Sequence, residues 1–316
     1  MKILIVKTSS MGDVVHTMPA ITDIAAHIPG VVIDWVVEKP FDSLPAMHPG
    51  VRRVIPITWR KWRKSLWKGE TRAAISEARS ALKAERYDLV LDLQGLVKSA
   101  LWAMQAIGPR AGYDLASARE PLAAMFYQRQ ANVSEALHAV ERSRRLAAAH
   151  LGYDIGNTPP CFALTASAGS WRPASNRYAV LITGASRAEK LWPEPSWLAI
   201  AATLSEAGYG LVWLWGSPDE EARCKRLASA AGGEVPPFLT VADAAALLAK
   251  AFVCVGLDTG FSHIAAAFGV PTVGIYCDHD PGLVGIMGEG YVASVGGRGQ
   301  VPGVGDVAGL VKGALL

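Results

Sequence analysis

Cysteine is scarce in this sequence and nowhere paired. Cys161, Cys224, Cys254 and Cys277 stand far apart, with no CxxC and no histidine at metal-ligand spacing. That argues against a disulfide framework and a zinc site, and fits reduced, buried thiols in a cytosolic chain. Long apolar runs are missing too. The longest uncharged one, Ile264 to Tyr276, is broken by Gly269 and Pro271 and is too short to span a bilayer. The opening MKILIVKTSS has too short an apolar stretch before Lys7 for a signal peptide. There is no low-complexity tail and no internal repeat. Neither GxGxxG nor GxxxxGK[ST] follows the first strand-like run, which disfavours dinucleotide and P-loop binding.

Charge is present but unevenly placed. The net +3 combines 21 Lys/Arg against 15 Asp/Glu in residues 1–160 with 10 against 13 in residues 161–316. Residues 59–72 alone hold six cations and one anion, Glu70. One local cluster points to a single anionic ligand held by the first half. A nucleic-acid binder would be expected to carry more basic clusters and a recognisable module. The cluster begins WRKWRKSLWK. Wound as a helix, it sets Trp59, Trp62 and Leu66 on one face and Arg60, Lys61, Lys64 and Lys68 on the other. Arg63 then falls inside the apolar sector, where a purely structural helix would prefer Leu.

Short β-rich runs alternate with helical periodicity. KILIVK, VVIDWVV, VRRVIPI and DLVLDL read as strands in the first half, and YAVLIT, YGLVWLWG, AFVCVGL and PTVGIYC in the second. PSWLAIAATLSEAG, SPDEEARCKRLASAAG and FSHIAAAFG read as helices. A Gly-, Pro- and Ser-rich segment between Leu151 and Asn176 reads as a linker. The expected class is α/β, with two Rossmann-like doubly wound domains facing an interdomain cleft, the usual ligand position in such folds. Their expected extents are 1–160 and 176–316, with linker 161–175. The last helix, near Val307 to Leu315, is free to cross back onto the first domain.

Four stretches carry chemistry. In KTSSMGDVVHTMPA, Asp13 follows Gly12 where a helix starts, so it is either an N-cap or a general base; His16, one turn on, reads as a helix-surface residue. In GLDTGFSHIAAAFGVPTVGIY, a strand ends at Asp258 and a helix opens after Thr259-Gly260. Free N–H groups there suit a diphosphate, with Thr259, Gly260 and His263 placed to help; Asp258 or Ser262 as plain caps is the alternative. In TGASRAEKLWP, Ser186 and Lys190 would overhang the same phosphate, although Lys190 alone would pass for a solvated lysine. In WGSPDEEARCKRL, Glu220 is either a ribose-hydroxyl acceptor or a first-turn carboxylate favoured by the helix dipole. Asp278-His279-Asp280 has the D-x-D spacing of some metal sites but reads better as a polar turn before Pro281-Gly282.

Taken together, KTSSMGDVVHTMPA, WRKWRK, DLQGLVKSA, SAREPLA, HAVERSRRL, WGSPDEEARCKRLA and DTGFSHIAAA resemble the lipopolysaccharide heptosyltransferases of glycosyltransferase family 9, in order over nearly the whole chain. The resemblance implies a GT-B fold and an inverting transfer of L-glycero-D-manno-heptose from ADP-L-glycero-D-manno-heptose. The acceptor it implies is the 5-hydroxyl of the inner 3-deoxy-D-manno-octulosonic acid (Kdo) of Kdo2-lipid A. It places the catalytic base at Asp13, and acceptor contacts at Ser10, Gly12, Arg60, Arg63, Lys64 and Arg119. Donor contacts fall at Ser186, Lys190, Glu220, Asp258, Thr259, Gly260 and His263, with no cofactor and no metal. It further implies a monomer, peripheral on the cytoplasmic face of a Gram-negative inner membrane. Two alternatives are a relative that adds a later heptose and a non-catalytic peripheral membrane binder. The chain departs from the family pattern at Ala185, where a phosphate-facing hydroxyl is missing. It departs again at Tyr276-Cys277-Asp278-His279-Asp280-Pro281, which stands in place of Tyr-Gly-Pro-Thr-Asp-Pro.

Overall fold

The computed structural model describes residues 1–185 and 187–316, so the expectation for Ser186 lies outside the described residues. Two compact units divide the chain, Met1–Ala163 and Leu164–Leu316. The division falls within the expected linker, and residues 164–175 go with the second unit.

In the first unit the apolar runs form strands β1 (Lys2–Val6), β2 (Val32–Glu38), β3 (Val51–Ile57) and β4 (Leu89–Asp92). Two further short strands, β5 (Arg110–Tyr113) and β6 (Arg129–Ala131), complete a parallel sheet of order β3-β2-β1-β4-β5-β6. Ile3, Leu4, Ile5 and Val6 are wholly inaccessible, as continuous apolar runs must be when helices cover both faces. The helices are α1 (Met11–Val15), α2 (Met18–His27), α3 (Ser43–Ala46), α4 (Trp59–Trp62), α5 (Gly69–Lys83), α6 (Val97–Ala103) and α7 (Ala139–Leu151). One core layer gathers Leu4, Val36, Trp62, Leu82, Val90 and Trp102. On α2 and α7, a buried pair locks the helices together. Arg144 donates from Nε and Nη2 to Asp23 at 2.7 and 3.2 Å.

WRKWRKSLWK is not one amphipathic helix. The helical bond from Arg63 N–H to the Trp59 carbonyl is the last of its kind. Lys64, Ser65 and Lys68 then bond three residues back, as tight turns do. Continued at helical pitch, Arg60, Lys61, Arg63 and Lys64 would stack like charges at i,i+3 and i,i+4, which destabilises a helix. Trp59 and Trp62 still pack inward, edge-on and tilted against Trp102 at 6.2 and 5.9 Å. Leu66 does not join them; it is exposed, as is Trp67 at 73%.

The second unit carries β7 (Tyr178–Ile182), β8 (Gly210–Leu214), β9 (Val253–Leu257), β10 (Thr272–Tyr276) and β11 (Val292–Gly296), parallel in the order β11-β10-β9-β7-β8. Its helices are α8 (Glu194–Glu206), α9 (Pro218–Ala231), α10 (Val241–Leu248), α11 (Gly260–Ala267), α12 (Pro281–Val284) and α13 (Val304–Ala314). The last helix packs on α8 and β10 of its own unit, with Val307 and Val311 in a core that includes Leu181, Trp197 and Val255.

Candidate active site

In the first sheet the strand order reverses between β1 and β4, and in the second between β7 and β9. Loops leaving the carboxyl ends of such neighbours diverge and leave a crevice, where doubly wound folds place their ligands. The candidate residues cluster at these two points, one in each unit.

In the first unit, β1 ends in Lys7-Thr8-Ser9-Ser10 and runs into α1. Ser10 is the residue that precedes the helix, and Asp13 is its third residue, so Asp13 is not the N-cap. Its Oδ2 accepts the Ser10 N–H at 2.8 Å and the Ser10 hydroxyl at 2.7 Å. Those bonds fix the carboxylate at a partly buried position. Burial by itself pushes the Asp13 pKa up; the Lys7 ammonium, the two Ser10 bonds and His16 outweigh it and bring the group down to about 2. Asp13 therefore stays ionised, as a proton acceptor must.

Lys7 is itself buried and donates to the Leu93 carbonyl at 2.9 Å, with burial drawing its pKa down. His16 is not a surface residue. It is 4% exposed and meets His138 edge-on at 5.4 Å.

The loop after β4 is braced against the β1 loop. Buried Asp92 accepts the N–H groups of Gln94 and Gly95 on Oδ1 and the Tyr127 hydroxyl on Oδ2. Gln94 Oε1 in turn accepts the Thr8 N–H and hydroxyl at 2.8 and 2.7 Å. Gly95 sits at φ +68°, and a Cβ there would lie 2.9 Å from the Tyr113 ring, so the turn needs glycine.

Cations gather at the same crevice. Lys98, on α6, donates to the Ser9 hydroxyl at 2.8 Å. Its ammonium is destabilised first by burial and then by Arg60 and Arg119. Arg119 is tied in through its neighbour Glu120, whose N–H bonds the Gly95 carbonyl and whose carboxylate accepts the Val97 N–H. Arg60 arrives from α4, its N–H on Glu38 Oε1 at 3.2 Å. Buried Glu38 is shifted upward by desolvation, against the pull of Arg60, Lys98 and Arg63. Ser10 and Asp13 are thus bonded together with Lys7 and Lys98 beside them, Arg119 lies near Lys98, and Arg60 and Arg63 stand on the Glu38 side; Arg60, Arg63, Lys64 and Arg119 are all exposed.

In the second unit, Asp258 follows β9 and is mostly buried. Lys190 donates to its Oδ2 at 2.7 Å, His279 Nδ1 stands 2.6 Å from the same oxygen, and His263 Nε2 lies 3.6 Å from Oδ1. Burial pushes Asp258 up, but the bonds from His263, Lys190 and His279 and the Lys190 charge hold it well below the usual carboxylate range. Lys190 is no solvated lysine; its side chain is 12% exposed.

Neither Asp258 nor Ser262 caps α11. Its N-cap is Thr259, which makes no side-chain cap bond, and Ser262 donates to the Leu257 carbonyl instead. Among the described residues the buried Thr259 hydroxyl has no hydrogen-bond partner. A buried orphan at a helix N-terminus suits an anion.

Glu220 takes the first-turn role: its Oε2 accepts the Gly216 N–H at 2.7 Å. It also crosses the end of β7, where a Cβ on Gly184 would meet its Cδ at 2.3 Å. The Asp278-His279-Asp280 triplet is a polar turn. Asp278 pairs with Arg187, His279 with Asp258, and Asp280 accepts the Gly282 N–H at the start of α12.

Sequence reasoning missed Lys7, Gln94, Lys98 and His279. Lys98 carried a readable signal, a lysine in a helical first turn where the dipole disfavours it. Gln94 carried none, since its role depends on pairing across the sheet.

Residues 75–306 match the family model described as "Glycosyltransferase family 9 (heptosyltransferase)". The chain is 44% identical over 292 residues to Lipopolysaccharide heptosyltransferase 1 of Escherichia coli (strain K12), covering 92% of each. It superposes on the solved structure of E. coli heptosyltransferase WaaC with ADP at a TM-score of 0.89 and 40% identity, covering 99% of this chain and 100% of that one. With the E. coli WaaC complex of ADP-2-deoxy-2-fluoro heptose the TM-score is 0.85 at 40% identity, covering 99% and 98%.

Proposed function

Because the chain belongs to glycosyltransferase family 9, the heptosyltransferases, with a fold of the GT-B class, we propose that it moves L-glycero-D-manno-heptose from ADP-heptose to the 5-hydroxyl of the inner Kdo of Kdo2-lipid A. The observation that carries this reading is Asp13: an ionised carboxylate, oriented by Ser10, with Lys7 and Lys98 beside it and Arg60 and Arg119 near Lys98. An acidic sugar suits that setting, since cations bind its carboxylate and one fixed base faces its hydroxyl. The relatives' names and their ADP and ADP-sugar complexes support the donor.

In this reading Asp13 takes the proton from the Kdo 5-hydroxyl as that oxygen attacks the anomeric carbon on the face opposite ADP, so the centre inverts. Ser10 and Gly12 line the acceptor, and Arg60, Arg63, Lys64 and Arg119 hold its carboxylates and phosphates. Lys190 and the N–H groups at Thr259 and Gly260 stabilise the leaving diphosphate; we give that role to them rather than to a divalent ion. Glu220, whose Oε2 is taken by the Gly216 N–H, accepts from the ribose on Oε1.

Among the described residues no helix is long and apolar enough to cross a membrane. The exposed Leu66 and Trp67 among cations suit a peripheral seat on an anionic leaflet, which we place at the cytoplasmic face of the inner membrane.

The test is transfer from ADP-heptose to Kdo2-lipid A and, separately, to a heptose-terminated acceptor. Asp13→Asn is expected to lower kcat at least about a thousandfold, a base's typical contribution plus lost orientation, with ADP affinity unchanged. Near-normal turnover in that variant, or preference for the heptose terminus, would overturn the assignment.

A further inference from the structure

His279, in the segment after β10, stands with its ring against the Asp258 carboxylate of the proposed donor site. Asp258 Oδ2 carries both Lys190 Nζ, at 2.7 Å, and His279 Nδ1, at 2.6 Å. Asp258 is ionised and can only accept, so Nδ1 bears the proton in this contact. The ring is 42% exposed whereas the carboxylate is 11% exposed. The imidazole therefore reaches inward from the turn to a group largely removed from water. Its neighbours fix it there: Asp278 is held by Arg187, and Asp280 starts α12.

Two anions compete for one ammonium at this point. A diphosphate arriving at the start of α11 lies beside the Asp258 carboxylate. His263 lies on the other side of that carboxylate, 3.6 Å from Oδ1, so Lys190 cannot give its full charge to the diphosphate while it is the one donor on Oδ2. A second donor on the same carboxylate oxygen removes that conflict. We propose that His279 is a positioning residue of the nucleotide-sugar site: by donating from Nδ1 to Asp258 it holds that carboxylate in place while the Lys190 ammonium turns to the donor's diphosphate. The inference rests on the donor reading given above and adds to it a residue outside the expected set. It also gives the histidine in the Asp278-His279-Asp280 triplet a role that requires no metal ion.

Titration calorimetry with ADP, together with steady-state transfer kinetics on the whole chain, tests it. His279→Asn places an amide N–H near Nδ1, and His279→Phe keeps the ring but removes the donor. The Phe variant is expected to bind ADP about tenfold more weakly, to raise KM for ADP-heptose by a similar factor, and to leave KM for the acceptor unchanged. The Asn variant is expected to stay within about threefold of the parent on each measure. A Phe variant that binds ADP like the parent overturns the proposal, and so does an Asn variant as impaired as Phe, since that would mark the ring as packing alone. Lys190→Ala separates the two levels of inference. If the parent chain fails to bind ADP, or Lys190→Ala binds it as well as the parent, the donor reading fails. If the parent binds and Lys190→Ala weakens it while His279→Phe does not, only the His279 inference fails.

Discussion

Thr259 shows how a single residue can reveal a site by what it leaves undone. Its hydroxyl is buried with no hydrogen-bond partner among the described residues, a state that costs stability. Thr259→Val keeps the shape and removes the orphaned group, so urea unfolding should find the variant as stable as the parent or slightly more so. ADP affinity should fall about tenfold, the worth of one hydrogen bond to a charged group. Lost stability with unchanged affinity would show that the hydroxyl serves the fold. Asp13 makes a different residue-scale case, because its pKa is held near 2, below the 3.8 of a free aspartate. A depressed folded-state pKa contributes stability that is present above the unfolded value and lost as pH falls through the folded one. For Asp13 this is on the order of 2 kcal/mol. The stability gap between the parent and Asp13→Asn should therefore be widest above about pH 5 and shrink toward pH 2. A gap that stays constant across that range would mean that the carboxylate's charge is not what the fold uses.

At the scale of elements, the segment from Trp59 to Lys68 divides its tryptophans between two duties. Trp62 is buried against Trp102, whereas Trp67 projects into water. Trp62→Ala should cost about 3–5 kcal/mol in urea unfolding, and Trp67→Ala should stay within about 0.5 kcal/mol. Trp67→Ala should instead weaken co-sedimentation with anionic vesicles while leaving transfer to a deacylated, soluble acceptor intact. The same segment marks how far the sequence could be read. Eight strands were legible: seven are apolar runs that fill a sheet covered on both faces, and β3, at a sheet edge with Arg52 and Arg53, showed through its Val and Ile residues. The strands β5, β6 and β11 were not. Arg110–Tyr113 and Arg129–Ala131 are short and contain Arg, Gly or Gln, and Val292–Gly296 is only half-buried at a sheet edge. Helical pitch predicted the tryptophan face correctly for Trp59 and Trp62. It failed at Leu66, because repulsion among successive cations is not part of an apolar period. The motif containing Asp13 was legible as a helix start. Whether Asp13 or Ser10 stood at the cap depended on where the first helical bond closes, and neighbouring sequence does not determine that.

At the scale of the whole chain, each sheet reverses its strand order once, and the charged candidates gather at that reversal, between β1 and β4 in one unit and between β7 and β9 in the other. The two clusters differ in chemistry. The first has an excess of cations around one oriented carboxylate. The second has one carboxylate paired with Lys190 and in contact with His279, beside a helix N-terminus whose Thr259 hydroxyl has no partner among the described residues. Nucleotide should therefore be read by the second unit alone. Ligand binding stabilises only the structure that makes the contacts, by about 2.7 kcal/mol at a hundredfold excess over Kd. Hydrogen exchange on the intact chain with saturating ADP should slow the amides of residues 257–263, 183–185 and 187–192. Residues 7–13 and 92–98 should exchange at unchanged rates until an acidic-sugar acceptor is added. Protection by ADP that appears equally at residues 7–13 would show that the division between donor-binding and acceptor-binding units is wrong.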